Sequence, residues 1–234
     1  MQALLLAGGL GTRLRSVVDD RPKPMALVEG KPFLYYLVEH LKKNGITDVI
    51  FAVGYKGSMI EEYFGDGREF GIKVSYSYEK EQLGTAGAIK NAIKYINEEY
   101  FLVLNADTFY NMEYGGLWDI RKQSESRMVL VLREVEDSSR YGVVTLNGTR
   151  ITGFNEKAQG NGKALINGGV YLMSKSLLDE IPEGKCSLEN EIIPLWLKKD
   201  YKLSAYINDG YFIDIGIPED YFRFQKDAVE FGWR

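Results

Sequence analysis

An apolar run that halts at a glycine loop constrains this chain more than any other feature. Residues 2–7 read Gln2-Ala3-Leu4-Leu5-Leu6-Ala7, followed by Gly8-Gly9-Leu10-Gly11 and then Thr12-Arg13-Leu14. So short an apolar run, bounded by glycines, reads as a buried strand. The glycines let the chain turn sharply and let backbone N–H groups approach a ligand closely. Ten residues beyond Arg13, Lys23 stands between Pro22 and Pro24. Each proline disfavours helix in the residue before it, so this segment is expected to be rigid and extended. Two cations beside a glycine turn suit a triphosphate.

The rest of the chain alternates strand and helix signals. Phe33, Leu34, Leu37, Val38 and Leu41 share one helical face, with Pro32 at the first position and Gly45 beyond the end. Asp48–Val53 reads as a second strand. A short helix through Met59, Ile60, Tyr63 and Phe64 follows, then a strand through Ile72, Val74, Tyr76 and Tyr78. A helix carries Ile89, Ile93 and Ile96, and a strand at Tyr100–Leu104 ends at Asn105-Ala106-Asp107. This order implies a mostly parallel sheet with helices on both faces.

The second half changes character. A helix is expected near Tyr114–Ser124 and strands at Met128–Arg133 and Leu165–Met173. A hairpin is expected around Asn147-Gly148, a strong turn pair. Helices near Ser176–Glu180 and Leu188–Lys198 precede a strand pair at Leu203–Ile207 and Tyr211–Ile213. A last helix opens at Pro218 and carries Tyr221, Phe222, Phe224 and Val229. The loops Asp137–Tyr141 and Lys157–Lys163 are polar, glycine-adjacent and expected to be mobile.

Composition excludes several classes. The 234 residues suffice for one large domain or two small ones, and a net charge of −4 disfavours a nucleic-acid scaffold. Cys186 is the only cysteine, which fits a reducing compartment. No apolar run is long enough to span a membrane, and the start lacks a basic leader, so a cytoplasmic location is expected. His40 is the only histidine and falls in a helical pattern, leaving no material for a serine-histidine triad or a multi-histidine zinc site.

Several motifs remain. Gly9-Leu10-Gly11 fails the dinucleotide fingerprint because Leu14 occupies its last glycine position, and no P-loop of the G-x-x-x-x-G-K type is present. Asp107 ends a central strand, where open α/β sheets bind ligands, although an Asn-Ala-Asp run can also simply cap a turn. Asp214 lies between Ile213 and Ile215, where a carboxylate is costly to bury unless paired or metal-bound. Two carboxylates at separate strand ends match the way Mg²⁺ is held beside substrate phosphates. Asn167-Gly168-Gly169 interrupts an apolar strand and suggests close approach of a ligand.

Taken in order, Leu-Ala-Gly-Gly-Leu-Gly-Thr-Arg-Leu, Pro-Lys-Pro-Met, Leu-Gly-Thr-Ala-Gly-Ala, Asn-Ala-Asp, Phe-Asn-Glu-Lys, Ile-Asn-Gly-Gly and Phe-Ile-Asp-Ile-Gly-Ile-Pro-Glu-Asp-Tyr resemble the sugar-1-phosphate nucleotidyltransferases over nearly the whole chain. The resemblance implies a Rossmann-like, three-layer α/β/α fold with a mixed, mostly parallel sheet and a smaller sugar-binding lobe. It implies one domain, with residues 1–110 mainly serving the nucleotide and 111–234 mainly serving the sugar phosphate. The reaction implied is NTP plus sugar 1-phosphate giving NDP-sugar and pyrophosphate. Arg13 and Lys23 would be catalytic. Leu6, Ala7, Gly8, Gly9, Gly11 and Thr12 would hold the nucleotide, together with Glu79, Leu83, Gly84, Thr85 and Asp107. Gly142, Glu156, Lys157, Asn167 and Gly168 would bind the sugar phosphate, and Asp107 and Asp214 would hold Mg²⁺. The chain departs from many relatives in having Ala106 where they have glycine.

A carboxylate at Glu79 can accept from guanine N1–H and N2–H₂ together, which ranks GTP first, ahead of uridine or thymidine triphosphates. The short chain and its Asp-Ile-Gly-Ile-Pro-Glu-Asp-Tyr ending look most like the D-glycero-α-D-manno-heptose 1-phosphate guanylyltransferases of surface-polysaccharide synthesis. Mannose 1-phosphate guanylyltransferases and N-acetylmuramate 1-phosphate uridylyltransferases are the near alternatives. Neither a nucleic acid nor a membrane is an expected partner; a second copy of the chain is a possible one. A non-catalytic nucleotide-sugar sensor is the alternative from another class, but it would be expected to lose Arg13, Lys23 or a metal carboxylate.

Overall fold

The computed structural model describes residues 1–155 and 162–233. Glu156, Lys157 and most of the loop up to Lys163 lie outside the described residues. In chain order the first half runs β1 (Gln2–Ala7), β2 (Leu27–Val28), β3 (Lys31–Pro32), α1 (Phe33–Lys43), β4 (Asp48–Val53), α2 (Ser58–Phe64), β5 (Lys73–Tyr78), α3 (Gly84–Asn91) and β6 (Tyr100–Asn105). The second half runs β7 (Thr108–Tyr110), α4 (Gly115–Ser124), β8 (Met128–Val135), β9 (Val143–Asn147), β10 (Arg150–Asn155), β11 (Ala164–Ser174), α5 (Ile193–Lys198), β12 (Leu203–Ile207), β13 (Phe212–Asp214) and α6 (Pro218–Glu230).

A nine-stranded sheet in the order β5-β4-β1-β6-β11-β8-β12-β10-β9 forms the middle layer. Strands β5, β4, β1 and β6 are mutually parallel, and β12 runs parallel to β8. The other pairings of this sheet among the described residues are antiparallel. The expected parallel character therefore belongs to the first half, and antiparallel pairing dominates the second. The cause is local: a short link such as Gly148-Thr149 between β9 and β10 can only return the chain antiparallel.

The period-2 alternation of strand side chains sorts two cores. Ala3, Leu5, Ala7, Phe51 and Leu104 face one side with α1, α2 and Phe224 of α6. Leu4, Ile50, Ala52 and Val103 face the other with α3 and Trp196 of α5. This is the expected three-layer arrangement. Among the described residues no helix is long and apolar enough to cross a membrane.

The structure corrects several expectations. Leu203–Ile207 and the strand that follows do not pair with each other. β12 enters the large sheet, and β13 pairs antiparallel with β7 in a sheet of its own, in the register Asp214↔Thr108. The segment around Lys23 is not extended throughout. Pro22 is extended, but Lys23–Met25 is a 3₁₀ turn, closed by Met25 N–H to Pro22 O at 2.8 Å and Ala26 N–H to Lys23 O at 3.0 Å. Pro24 lies in the first positions of this turn, where its missing donor costs nothing. The Leu188–Lys198 helix begins as a π-helix at Leu188–Ile192 and becomes α only at Ile193, beside Pro194. In the Asp137–Tyr141 loop, Arg140 Nη1 lies 2.9 Å from Asp220 Oδ2 of α6. His40 is structural as expected, its Nε2 2.9 Å from Met112 O.

Helix α6 buries Tyr221 and Phe224 while Phe222 and Val229 stay exposed. Phe224 sits among Phe33, Tyr36, Phe109 and Trp233, with ring centroids 4.8 to 5.8 Å away. Truncation there opens a cavity that rigid neighbours cannot fill. Phe224→Ala is expected to lower stability by about 3–5 kcal/mol; a denaturant midpoint close to wild type would show that α6 is not clamped this way.

Candidate active site

The site is assembled where β1, β6 and β13 end. After β1 the chain turns at Gly11, whose φ of 58° lies in the left-handed region. Leu14 then anchors the 3₁₀ turn Thr12–Leu14 in the core, and its neighbour Arg13 points outward. A Cβ on Gly11 would come within 3.0 Å of Lys23 Cβ, so the loop packs directly on the lysine stem.

Lys23 Nζ donates to Asp107 Oδ2 and lies 4.0 Å from Asp214 Oδ1. The backbone brings these carboxylates together. Asp107 directly precedes β7, β13 ends at Asp214 against β7, and Ile215 N–H donates to Asp107 O at 3.0 Å. Asp214 Oδ1 also accepts Gly216 N–H at 2.7 Å. Gly216 keeps the approach open: a Cβ there would lie 2.9 Å from Asp214 Oδ1 and 3.4 Å from Arg13 Nη2. Both expected cations and both expected metal carboxylates thus converge.

Next to them lies an open cleft of about 220 Å³, lined by Leu6, Gly8, Gly9, Glu79, Gln82, Thr85, Asn105 and Asp107 among others. Glu79 is positioned by its own N–H to Val53 O at 2.8 Å and by Leu83 N–H donating to its Oε2 at 3.0 Å. Burial pushes its carboxyl above the usual range, and the Leu83 bond opposes this. A Cβ on Gly8 would collide with Glu79 Oε1, so this glycine is needed for the carboxylate to lie across the loop. Gly84, with φ of 69°, would meet Cys186 O at 2.6 Å if it carried a Cβ. The Ala7 side chain packs in the core, and Thr12 is exposed on its turn. Gln82 and Asn105 were missed as site residues, although both lie within segments already singled out.

Asn167 N–H donates to Gly142 O at 3.0 Å, which places together two of the residues expected to bind the sugar phosphate. The glycines beside Asn167 admit other parts of the chain close to their Cα atoms. A Cβ on Gly168 would meet Tyr110 Cε1 at 2.8 Å, and one on Gly169 would meet Asn105 Nδ2 at 2.8 Å.

The profile of the nucleotidyl transferase family matches residues 2–230. The chain belongs to this family. It is 45% identical over 229 residues to D-glycero-α-D-manno-heptose 1-phosphate guanylyltransferase of Campylobacter jejuni, covering 96% of this chain and 98% of that one. It is 42% identical to the enzyme of the same name from Aneurinibacillus thermoaerophilus, covering 99% and 100%. The crystal structure of HddC from Yersinia pseudotuberculosis complexed with GMP-PN aligns with a TM-score of 0.84 at 38% identity, covering 97% of this chain and 98% of that chain. The protein is therefore an enzyme, a sugar-1-phosphate nucleotidyltransferase closely related to the heptose 1-phosphate guanylyltransferases.

In this nucleotidyltransferase the electrostatics of the carboxylate pair follow from one shared lysine. For Asp107, burial works against the charged form, but the charge and hydrogen bond of Lys23 outweigh it and hold the carboxyl below its ordinary value. Asp214 is pushed up to about 6, first by burial and then by the charge of Asp107. Among the described residues no trio of histidine, cysteine or acidic side chains is arranged to hold a metal alone. Two carboxylates completed by substrate oxygens suit Mg²⁺, which retains several oxygen ligands from outside the protein.

Because the aspartates repel each other, the metal-free protein carries a local strain that substitution can relieve. Asp214→Asn is expected to raise the melting temperature of the metal-free protein by a few degrees, on the order of 1–2 kcal/mol. Lys23→Ala is expected to lower it, because a largely buried pair loses one partner. Calorimetry of both variants in chelator decides; a fall in both would remove like-charge repulsion as the governing term.

Proposed function

We propose that this enzyme transfers a guanylyl group from GTP to a heptose 1-phosphate, forming a GDP-heptose and releasing pyrophosphate. The observation that carries the reading is the Lys23–Asp107–Asp214 cluster, whose Asp107 lines the same cleft as Glu79. An oxygen of the sugar phosphate attacks the α-phosphorus and forms the new P–O bond. The bond from the α-phosphorus to the bridging oxygen breaks, and its electron pair leaves with pyrophosphate. Such displacement asks the protein mainly for positioning and charge stabilisation.

Each residue has a part in this proposal. Arg13, exposed beside Asp214, grips the departing β- and γ-phosphates. Lys23 neutralises charge at the α-phosphate. Asp107 and Asp214 would hold Mg²⁺, which supplies charge neutralisation to the phosphate oxygens when bound. Leu6, Ala7, Gly8, Gly9, Gly11 and Thr12 contribute backbone to the nucleotide half. Glu79 accepts from guanine N1–H and N2–H₂, flanked by Leu83, Gly84 and Thr85. Asn167, Gly168 and the Gly142 backbone face the sugar phosphate; Glu156 and Lys157 are assigned to the same task from the sequence. Residues 1–110 serve mainly the nucleotide and 111–234 mainly the sugar phosphate. The two guanylyltransferase relatives support the choice of base and sugar.

Pyrophosphate release from a matrix of four NTPs and a panel of sugar 1-phosphates tests the reading. GTP with D-glycero-α-D-manno-heptose 1-phosphate is expected to give the highest kcat/KM, and a preference for UTP or dTTP would overturn the assignment of Glu79. Arg13→Ala is expected to depress kcat by roughly 10²-fold, as for loss of a charge-stabilising donor; an unchanged rate would take Arg13 out of the leaving-group role.

A further inference from the structure

One buried carboxylate lies outside every role given above. Glu189 is 9% exposed and stands in the π-helical turn Leu188–Ile192, between the cleft and the central sheet. Among the described residues its side-chain hydrogen-bond partners are all hydroxyls. Oε2 accepts from Thr85 Oγ1 at 2.5 Å and from Ser187 Oγ at 3.3 Å, and Oε1 accepts from the Tyr171 hydroxyl at 3.0 Å.

The two closer hydroxyls are directional. Thr85 Oγ1 accepts Leu188 N–H at 2.8 Å, so its own proton turns to Glu189. The Tyr171 oxygen accepts Asn167 Nδ2–H at 2.8 Å, so its proton also turns to Glu189. Asn167 in turn is oriented by Gly169 N–H, which donates to its Oδ1 at 2.9 Å. Two hydrogen-bonded chains therefore end on one carboxylate. One starts at the cleft wall, where Thr85 lines the nucleotide half; the other starts at Asn167 on the sugar side. In a low-dielectric interior such chains polarise one another and hold their members in one arrangement.

We propose that Glu189 is a positioning residue that sets the nucleotide wall and the sugar-facing strand in a single register. It touches neither substrate. It fixes the Thr85 hydroxyl with one oxygen and, through Tyr171, the Asn167 amide with the other. The inference rests on the two-half site proposed above and adds a coupling between those halves. It also has a chemical signature: glutamine at 189 replaces one acceptor oxygen with a donor NH₂, which faces a hydroxyl whose proton already points inward.

The test measures KM for each substrate separately. Tyr171→Phe, a fully buried change on the sugar side, is expected to raise KM for GTP at least fivefold as well as KM for the sugar 1-phosphate. Thr85→Val is expected to do the converse, raising KM for the sugar 1-phosphate together with that for GTP. Glu189→Gln should reproduce both effects, and Thr85→Ser, which keeps the hydroxyl, should raise KM for the sugar 1-phosphate much less than Thr85→Val does. The Thr85→Val, Tyr171→Phe double variant should cost little more in kcat/KM than either single change. Effects confined to each residue's own substrate, or log-additive effects in the double variant, overturn the inference. Should Tyr171→Phe fail to fold, Glu189→Gln and the Thr85 pair carry the same test. The wild-type enzyme is assayed first with its preferred pair from the matrix. A different preferred pair overturns the specificity reading and leaves this test intact, whereas a wild type inert with every pair overturns both.

Discussion

One lysine held between two aspartates is the interaction on which the site depends. Lys23 can reach Asp107 and Asp214 only because β7 and β13 pair antiparallel, which brings residues more than a hundred positions apart to neighbouring strand ends. Two carboxylates this close repel in a partly buried setting. The lysine relieves one of them, and Asp214 remains the group that gains most from a cation. A site in this condition favours whatever brings further positive charge. That is the requirement for gathering a triphosphate, a sugar phosphate and a divalent ion at one place.

The sheet makes such a costly cluster tolerable. Its central strands β1 and β6 are buried on both faces, so their ends are held by the alternation of Leu4, Leu5, Val103 and Leu104 into opposite cores rather than by the polar groups themselves. The rings around Phe224 fasten α6, which follows Asp214 directly, onto α1 and β7. Packing far from the chemistry thus fixes where a carboxylate stands. The same division of labour appears at Glu79, where the backbone of β4 and the start of α3 hold the side chain over Gly8.

Much of this was legible in the residues. Gln2–Ala7 and Asp48–Val53 coincide with observed strands because short apolar runs between glycines and polar residues leave few alternatives. Arg13 and Lys23 stood out as cations beside the glycine loop, and Asp107 and Asp214 as carboxylates at strand ends. What could not be read was pairing between distant segments. Tyr211–Ile213 looks like the partner of Leu203–Ile207 because they are adjacent in sequence, yet Phe212–Asp214 pairs with the buried strand β7 instead. Periodicity reports which face of a strand is buried but not which strand lies beside it. The glycines at 168 and 169 do mark a close approach, and Tyr110 and Asn105 of this chain come up against them.

The location of the site follows from a change of direction in the sheet. β6 runs parallel to β1 on one side and antiparallel to β11 on the other, so the parallel half ends there. β11 pairs with β6 only from Val170 onward. Before that point it stays with β8, through Asn167↔Leu132, and meets β9 at Ile166↔Val143. The irregular step between Asn167 and Tyr171 is therefore where β11 leaves β6, and Gly169, with φ of 68°, makes the bend. The parting strands leave a gap at the C-terminal end of β6, where Asn105 and Asp107 stand. Open α/β sheets bind ligands where neighbouring strands diverge in this way. A continuous β6–β11 ladder would close that gap, so the irregular step in β11 is what leaves the end of β6, with Asn105 and Asp107, open to the cleft.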